Sequence, residues 1–369
     1  MSLSGPAFPI PAELLPVQEV VGASLRRVEI AFDRALRSDL PPVQRLVQHI
    51  ESYRGKMLRP ALVILSGMAA DLHLSDGGGQ REVSPLSPPS NNHAHTTTAQ
   101  STTPKISEPH ITIAAVCEMI HMATLVHDDV LDEADLRRKG ATVNRLRGNE
   151  AAVILGDYLF SCAYHLCSTL NSQQAALLIG QTGMTLCAGE LLQLHHRENL
   201  SIDQSTYFEV VRRKTGSLIS IACRLGAMQS NTDSATAERL ADFGMNIGIA
   251  FQIQDDLLDL VGNERIVGKP LRRDLELGKL TLPVIHHLEH ATPTARGRTL
   301  TLLEQTDLFD AAAARELLEA LTSTTSIEFA ATKARSLVTQ AKSLLAPLTD
   351  SPAKKLLLVM ADQVVARAF

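Results

Sequence analysis

The stretch MATLVHDDVLDEADLRRKG, residues 122–140, runs from an apolar segment into five acids within eight positions and then into three consecutive bases. If the apolar part is a helix, Asp128 and Asp132 lie about 40° apart on one face, and His121 falls between them. So much charge at the end of an apolar helix predicts a binding site.

A second acid cluster, DDLLD at 255–259, lies in the apolar segment GIAFQIQDDLLDLVG, residues 248–262. On a helix its acids and Gln252 occupy an arc of about 100°, while apolar side chains cover most of the remaining surface. One such cluster alone is more often a solvated helix face. Because it nearly repeats DDVLD at 128–132, the pair favours a common function.

The chemistry of paired acids indicates what that function requires. Carboxylates a few ångströms apart repel each other by roughly 3–4 kcal/mol at an effective dielectric near 20, so clustering them on buried helices costs stability unless a cation bridges them. Oxygen ligands without His or Cys suit a hard cation, and Mg²⁺ commonly binds one or two carboxylates together with substrate phosphates. We therefore expect a magnesium-bound phosphate ester.

Bases accompany both acid clusters. They are Lys56 and Arg59 in YRGKMLRP, Arg137 and Arg138 after the first cluster, Lys214 beside Thr215 in RRKTGS, and Lys269 and Lys279 after the second cluster. Arginine suits bidentate contact with phosphate, and lysine acts as a point charge. Each base taken singly is more often a surface charge, but together they indicate a site that holds diphosphates.

The whole chain predicts an all-α fold. Of its 369 residues, 45% are hydrophobic, which is enough to bury a sizeable core, and only 4% are aromatic. Leu and Ala recur at helical spacing, whereas the alternation typical of strands is scarce. We expect a single domain over 1–369, built as a helical bundle, with a mobile polar insertion at about 73–110 that is rich in Gly, Pro, Ser and Thr.

Composition and charge exclude several other functions. The net charge of −5, with interspersed acids and bases, leaves no basic stripe for nucleic acid. The five cysteines form no CxxC pair, which indicates a reducing compartment. No apolar run approaches the roughly 18 residues needed to cross a bilayer, and the N-terminus does not resemble a signal peptide. We expect a cytoplasmic protein without a transmembrane segment.

The order of the motifs resembles that of the trans-isoprenyl diphosphate synthases, the polyprenyl synthetase family, and most closely of their long-chain, octaprenyl-type branch. The matching motifs are GKMLRP, HDDVLDEADLRRKGATVN, GNEAAVILGDYLF, GELLQL, KTGSL, FQIQDDLLD and GKLTLP. The resemblance covers roughly 50–369 apart from the insertion. It implies one all-α domain whose helices surround a central cavity, the isoprenoid synthase type I fold, usually assembled as a homodimer.

The resemblance also implies an activity, the condensation of an allylic diphosphate with isopentenyl diphosphate, with about three Mg²⁺ ions per active site. The implied metal ligands are Asp128, Asp132, Asp255, Asp256 and Asp259, with Asp129 as support. The implied allylic site is completed by Arg137, Lys214, Thr215, Gln252, Lys269 and Lys279. The implied homoallylic site consists of Lys56, Arg59, His121 and Arg138. We expect catalysis to rest on Asp128, Asp132, Arg137, Lys214, Asp255 and Asp256.

The length of the product is predicted from the residues just before the first acid cluster. In the family, bulky aromatic side chains four and five positions before that cluster close the cavity for short products, whereas this chain has Ala123 and Thr124 there. We therefore expect a long-chain product, with transient membrane contact for its release. A bulky side chain from another position, such as Phe160 or Met119, would instead give a farnesyl- or geranylgeranyl-length product.

Three other interpretations remain open from the sequence. A class I terpene cyclase would share the fold, but the complete DDLLD argues against it. A non-catalytic subunit of a heteromeric prenyltransferase would usually lack acids or bases from one motif, and none is missing here. A non-catalytic helical protein that binds diphosphate lipids would release no diphosphate.

Overall fold

The computed structural model describes residues 12–76, 106–138, 140–230, 232–261, 273–304 and 311–366. Within these ranges the fold is all-α, as predicted. The helices are α1 (Leu15–Ala35), α2 (Pro41–Ile50), α3 (Leu58–Asp76), α4 (Glu108–Leu131), α5 (Val143–Arg147), α6 (Asn149–Ser168), α7 (Gln173–His195), α8 (Gln204–Val211), α9 (Ser217–Met228), α10 (Ser234–Val261), α11 (Arg273–Glu276), α12 (Leu282–His290), α13 (Pro293–Glu304), α14 (Ala311–Ser323), α15 (Ser326–Leu344) and α16 (Pro352–Val365). Two short strands, β1 (Leu136–Arg137) and β2 (Gly140–Ala141), pair antiparallel with Leu136 opposite Ala141.

The centre of the fold is formed by α4, α9 and α10. Helix α4 packs against α3 and α6, and α10 packs against α9 and α15. Apolar residues lie on most sides of these helices, which is typical of interior helices. Ile120, Phe243 and Ile253 are each at most 1% exposed. The two acid clusters are therefore carried by helices α4 and α10, which the core holds firmly in place.

Glycines allow two of these helices to cross their neighbours closely. A Cβ atom at Gly226 of α9 would lie 2.2 Å from the carbonyl oxygen of Val63 in α3. A Cβ atom at Gly248 of α10 would lie 2.7 Å from the Cα atom of Gly216. Because neither glycine has a side chain, the backbones come within contact distance, and α10 lies directly against the turn that precedes α9.

The predicted insertion is narrower than about 73–110. Helix α3 continues to Asp76, and α4 already begins at Glu108. His110 belongs to the first turn of α4, where it is 1% exposed and its Nδ1 atom accepts a hydrogen bond from the Ser107 backbone amide at 3.3 Å. Helices therefore extend into both ends of the predicted range, and at the α4 end buried His110 contacts Ser230 from another part of the chain. Residues 77–105 lie outside the described residues.

Three described helices, α4, α6 and α7, are long and apolar enough to cross a membrane by length and composition. The prediction that no apolar run approaches such a length was therefore wrong. Helix α4 is explained by its position, because 72% of its apolar window is buried inside the protein. Only 33% of the corresponding windows of α6 and α7 is buried, so these two helices present apolar side chains outward.

Candidate active site

The second acid cluster lies on α10, where helical spacing turns Gln252 and Asp256 to the same side. Asp256 is 5% exposed and accepts hydrogen bonds from the Tyr207 hydroxyl at 2.5 Å and from the Gln252 side-chain amide at 2.8 Å. Burial, together with the neighbouring Asp274 and Asp255, raises the pKa of Asp256 to about 8. A bound cation would favour the ionised form of this carboxyl group.

Lys214 and Thr215 lie in a π-helical turn, Arg212–Gly216, between α8 and α9. Such turns are rare and often occur at functional sites. The Thr215 hydroxyl donates to the side-chain oxygen of Gln252 at 2.8 Å, and Gln252 in turn donates to Asp256. Lys214 contacts the first acid cluster instead. The π turn therefore connects the two clusters through adjacent residues.

The ammonium group of Lys214 is surrounded by oxygen atoms. It lies 2.5 Å from Glu190, 2.9 Å from the side-chain oxygen of Gln193 and 3.7 Å from Asp128. Burial lowers the pKa of Lys214, but Asp128 and Glu190 outweigh this effect and raise the pKa above its ordinary value. Burial also raises the pKa of Asp128 to about 6, although Lys214 opposes that shift. A charged lysine thus faces the first acid cluster.

Asp129, the middle acid of the first cluster, has different partners from Asp128. Its Oδ1 atom accepts a hydrogen bond from Arg137 Nε at 2.8 Å, and Arg137 Nη2 lies 2.7 Å from the same oxygen. The Arg137 guanidinium also lies over the ring of Tyr53, 5.9 Å from its centroid. Arg137, which was predicted to bind the allylic diphosphate, is therefore oriented by an acid of the cluster itself.

Asp132 lies where segments distant in sequence meet. It follows the last residue of α4, and Lys279 donates to its carboxylate at 2.7 Å. Arg273, the first residue of α11, donates to the Asp132 backbone oxygen at 2.9 Å. The next residue, Asp274, donates its backbone amide to Asp259 at 3.2 Å. Helix α11 therefore contacts a residue of each acid cluster.

A further group of charged side chains lies on α3, on α4 and beside the strand β1. Burial and the neighbouring Arg59 and Arg138 lower the pKa of His121 well below its ordinary value, so its imidazole is neutral. Glu118, 3% exposed on α4, interacts electrostatically with both arginines. A Cβ atom at Gly55 would lie 2.4 Å from the Arg138 guanidinium. The GKMLRP segment thus packs directly on the arginine pair that follows the first acid cluster.

The acid clusters offer oxygen donors, which suit a hard cation such as Mg²⁺. In the described part of the chain, no three His, Cys, Asp or Glu side chains are grouped closely enough to hold a metal ion by themselves. The Oδ2 atom of Asp129 is buried and has no hydrogen-bond partner among the same residues. This arrangement fits an ion that takes one or two carboxylates and completes its coordination with phosphate and water oxygens.

A profile of the Polyprenyl synthetase family matches residues 41–321. The chain belongs to the polyprenyl synthetase family. It is 34% identical to the nonaprenyl diphosphate synthase of Mycobacterium tuberculosis, over 95% of this chain and 98% of that protein. It is 30% identical to the geranylgeranyl diphosphate synthase of Methanosarcina mazei, over 93% of this chain and 95% of that protein.

Solved structures agree with this assignment. The polyprenyl synthase of Caulobacter crescentus, determined with calcium and isoprenyl diphosphate, superposes with a TM-score of 0.79 at 27% identity, over 97% of this chain and 99% of that one. The comparisons confirm the predicted all-α isoprenoid synthase fold and the predicted enzyme class, a trans-polyprenyl diphosphate synthase with long-chain relatives.

The predicted residues of this polyprenyl synthetase also include two lysines and the pair expected to set product length. Lys56 is exposed, and Lys269 lies outside the described residues. Ala123 is 0% exposed, whereas Thr124 is half-buried and its hydroxyl donates to the backbone oxygen of His121 at 2.8 Å. The two residues predicted to set product length therefore differ in their freedom to accept a larger side chain.

Four residues at the site were not predicted from the sequence, although two of them lie in a quoted motif. They are Glu190 and Gln193 in GELLQL, Arg197 after α7, and Tyr207 on α8. Glu190 and Gln193 are three positions apart, so they share one face of α7. That spacing was a usable signal. The contacts of Arg197 and Tyr207 depend on long-range packing, which no local sequence pattern indicates.

Proposed function

We propose that this polyprenyl synthetase joins an allylic diphosphate to isopentenyl diphosphate in a Mg²⁺-dependent reaction and makes a long trans-polyprenyl diphosphate. One domain over 1–369 would contain both substrate sites. The observation that supports this best is the contact of α11 with both acid clusters, through Arg273 to Asp132 and through Asp274 to Asp259. A diphosphate bound between the clusters would lie within reach of their carboxylates through shared metal ions.

About three Mg²⁺ ions would bind there and neutralise the charge of the departing diphosphate. Their proposed ligands are Asp128, Asp132, Asp255, Asp256 and Asp259, with Asp129 as support. Lys214 and Lys279 contact carboxylates of the first cluster at 3.7 Å and 2.7 Å. With those carboxylates bound to metal ions, the two lysines would be available to donate to diphosphate oxygens. Preorganised charge of this kind is usually the largest contribution to rate.

The second substrate, isopentenyl diphosphate, would be held by Arg59, Arg138 and Lys56, with His121 as a neutral hydrogen-bond donor. Buried Glu118 balances the charge of Arg59 and Arg138 while the site is without this anion. In the reaction the carbon–oxygen bond of the allylic diphosphate breaks, and the double bond of isopentenyl diphosphate attacks the resulting allylic cation. A proton then leaves the new carbon chain and is accepted by the released diphosphate.

A long product is supported by the small residues before the first acid cluster. Ala114, Cys117 and Ala123 lie on or next to the face of α4 below Asp128, and none carries a large side chain. A chain growing from the allylic site along α4 would meet no Phe, Tyr or Trp on this helix. If the product is short instead, an aromatic residue of another helix, such as Phe160 on α6, would stop the growth of the chain.

We also propose that the chain forms a homodimer through α6 and α7. Leu177, Met184 and Leu191 on α7 are 58%, 74% and 66% exposed, and their spacing of seven places them on one stripe. Ile154 on α6, which packs against α7, is 67% exposed. Apolar surface of this extent usually marks a contact with protein or membrane, and a second copy would cover it on both chains.

Light scattering after size-exclusion chromatography tests the dimer. The wild-type chain should elute with twice the mass of the 40.0 kDa monomer, and Met184→Glu should shift it towards the monomer. Ile30→Glu, at a position 58% exposed on α1, is the matched control and should leave the dimer intact. A monomeric wild-type chain that binds lipid vesicles would instead assign the stripe to membrane contact.

The proposed location is the cytoplasm. All five cysteines are described and none forms a disulfide, which fits a reducing compartment. Fractionation of cells that produce the full chain would test this proposal, and recovery in an extracellular or periplasmic fraction would reject it.

The decisive assay supplies farnesyl diphosphate, isopentenyl diphosphate and Mg²⁺ and analyses the products by mass spectrometry. We expect chains well beyond geranylgeranyl diphosphate, no turnover with EDTA, and a loss of about 100-fold or more for Asp256→Asn. Asp242→Asn, an exposed acid on the same helix, is the control. A product that stops at geranylgeranyl diphosphate would reject only the chain length. No Mg²⁺-dependent release of diphosphate would reject the enzyme and favour a diphosphate-lipid-binding protein.

A further inference from the structure

Arg197 lies in the turn after α7, and its guanidinium reaches the end of the first acid cluster. Its Nη2 atom lies 3.7 Å from Asp132 Oδ1, the same oxygen that accepts the 2.7 Å hydrogen bond from Lys279. Nη2 also donates to the backbone oxygen of Leu131 at 3.3 Å. Arg197 therefore shares its carboxylate with a lysine that the proposed function assigns to the allylic diphosphate.

The backbone fixes Arg197 beside that lysine. The amide of Glu198 donates to the backbone oxygen of Gly278 at 2.9 Å. Gly278 has a φ of +68°, and a Cβ atom there would lie 3.4 Å from Arg197 Cγ and 3.0 Å from the Glu198 nitrogen. Only glycine fits this conformation and this space without strain. The turn after α7 therefore packs closely against Gly278, the residue that precedes Lys279.

The hydrogen-bonding capacity of Arg197 is only partly used. Its Nε atom is buried and has no hydrogen-bond partner within the described residues. By contrast, Arg273, which also donates to the end of α4, has its own acidic partner, because its Nη1 atom lies 3.1 Å from Glu276. The Arg273 side chain thus binds Glu276 and the end of α4, whereas Arg197 retains an N–H donor for a further acceptor.

We propose that Arg197 binds the allylic diphosphate, as a cation on the Lys279 side of the pocket. The inference rests on the proposed function. With Asp132 bound to a divalent cation, its attraction for Arg197 and Lys279 would weaken. Both side chains would then be available to bind the negatively charged diphosphate. The planar guanidinium suits two phosphate oxygens at once, which an ammonium group does not.

Isothermal titration of the full-length protein with inorganic pyrophosphate in excess Mg²⁺ tests this proposal, together with steady-state kinetics. We expect Arg197→Gln to weaken pyrophosphate binding by about tenfold or more, the usual effect of losing a hydrogen bond to a charged group. The KM for farnesyl diphosphate should rise by a similar factor, and the KM for isopentenyl diphosphate should stay within about twofold. Arg197→Lys should recover part of the binding because it keeps the charge.

Arg335→Gln is the matched control, because Arg335 is a 52% exposed arginine that pairs with Glu328 on α15. It should bind pyrophosphate as the wild type does. If Arg197→Gln binds pyrophosphate normally, or if both KM values rise equally, Arg197 has only a structural role and the proposal is overturned while the proposed function stands. If the wild-type protein neither binds pyrophosphate nor turns over, both fail together.

Discussion

The hydroxyl of Tyr207 donates a 2.5 Å hydrogen bond to Asp256, and both side chains are at most 5% exposed. Through this bond α8, which carries no acid motif, positions an acid of the second cluster. Burial raises the pKa of Tyr207 well above its ordinary value, and the neighbouring Asp256 adds to this shift. Tyr207 is therefore a donor throughout the physiological pH range.

Tyr207→Phe removes that donor and leaves the ring in place. We expect the free energy of unfolding to fall by about 1–3 kcal/mol, as measured by chemical denaturation. Because the bond lowers the pKa of Asp256, its loss should make the carboxyl harder to ionise and raise the Mg²⁺ concentration needed for half-maximal activity. Tyr158→Phe on α6, whose hydroxyl interacts with Cys162 and Ser38 and with no acid of either cluster, should not change that concentration. An unchanged Mg²⁺ requirement in Tyr207→Phe would show that the bond serves stability alone.

Product length should respond differently to the two residues before the first acid cluster. Thr124 is half-buried, so Thr124→Phe should place a ring below Asp128 and shorten the product with turnover retained. Ala123 is 0% exposed, so Ala123→Phe should also shorten the product but should cost about 1–3 kcal/mol of stability through overpacking. Mass spectrometry of the products and thermal denaturation measure the two effects.

Thr124→Ala is the control for the length experiment, because it removes the hydroxyl without adding volume. It should give the wild-type product. If Thr124→Phe also gives the wild-type product, this face of α4 does not line the path of the growing chain.

The close crossing of α3 and α9 predicts a large effect of one added methyl group. A Cβ atom at Gly226 would lie 2.2 Å from the Val63 carbonyl oxygen, so Gly226→Ala should lower the free energy of unfolding by about 1–3 kcal/mol. Gly297→Ala on α13 meets no atom within 4 Å and should instead raise it by about 0.5–1 kcal/mol. Urea denaturation of both variants compares them directly, and equal effects would contradict the packing described here.

His110 should make the fold sensitive to acid. Burial lowers its pKa to about 4, so the folded protein favours neutral His110 more than the unfolded chain does. The resulting stabilisation is complete above the ordinary pKa near 6.5 and is lost as the pH falls through about 4. We expect the wild type to lose about 3 kcal/mol more than His110→Gln between these values. Denaturation curves across this range measure the difference, and parallel profiles for the two proteins would argue against it.

Much of the helical framework could be predicted because periodicity is a local signal. The two apolar segments that carry the acid clusters were expected to be helical, and they lie within α4 and α10. The spacing of Asp128 and Asp132 also predicted their common direction, since Asp132 donates its backbone amide to the Asp128 carbonyl oxygen at 2.8 Å. These features depend on residues within a few turns of one another.

Contacts between distant segments were harder to predict. No local pattern indicates that Tyr207 reaches Asp256 or that Arg197 reaches Asp132, because both depend on how α7, α8 and α10 pack. The separate partners of Asp128 and Asp129 also follow from packing, since adjacent residues on a helix point about 100° apart. The extension of α4 into the predicted insertion has the same cause, as buried His110 is stabilised by Ser230 from another part of the chain.

The π turn at Arg212–Gly216 constrains the number of residues between α8 and α9. Removing a single residue from it would let α8 and α9 join as one regular α-helix, because a π turn accommodates one extra residue in a helical path, and the residues of the turn itself would then point in new directions. Lys214 would then lose its position beside Asp128, or Thr215 its position beside Gln252. Homologous enzymes in which the lysine and the threonine contact different acid clusters should therefore tolerate substitutions at these five positions far better than an insertion or a deletion there.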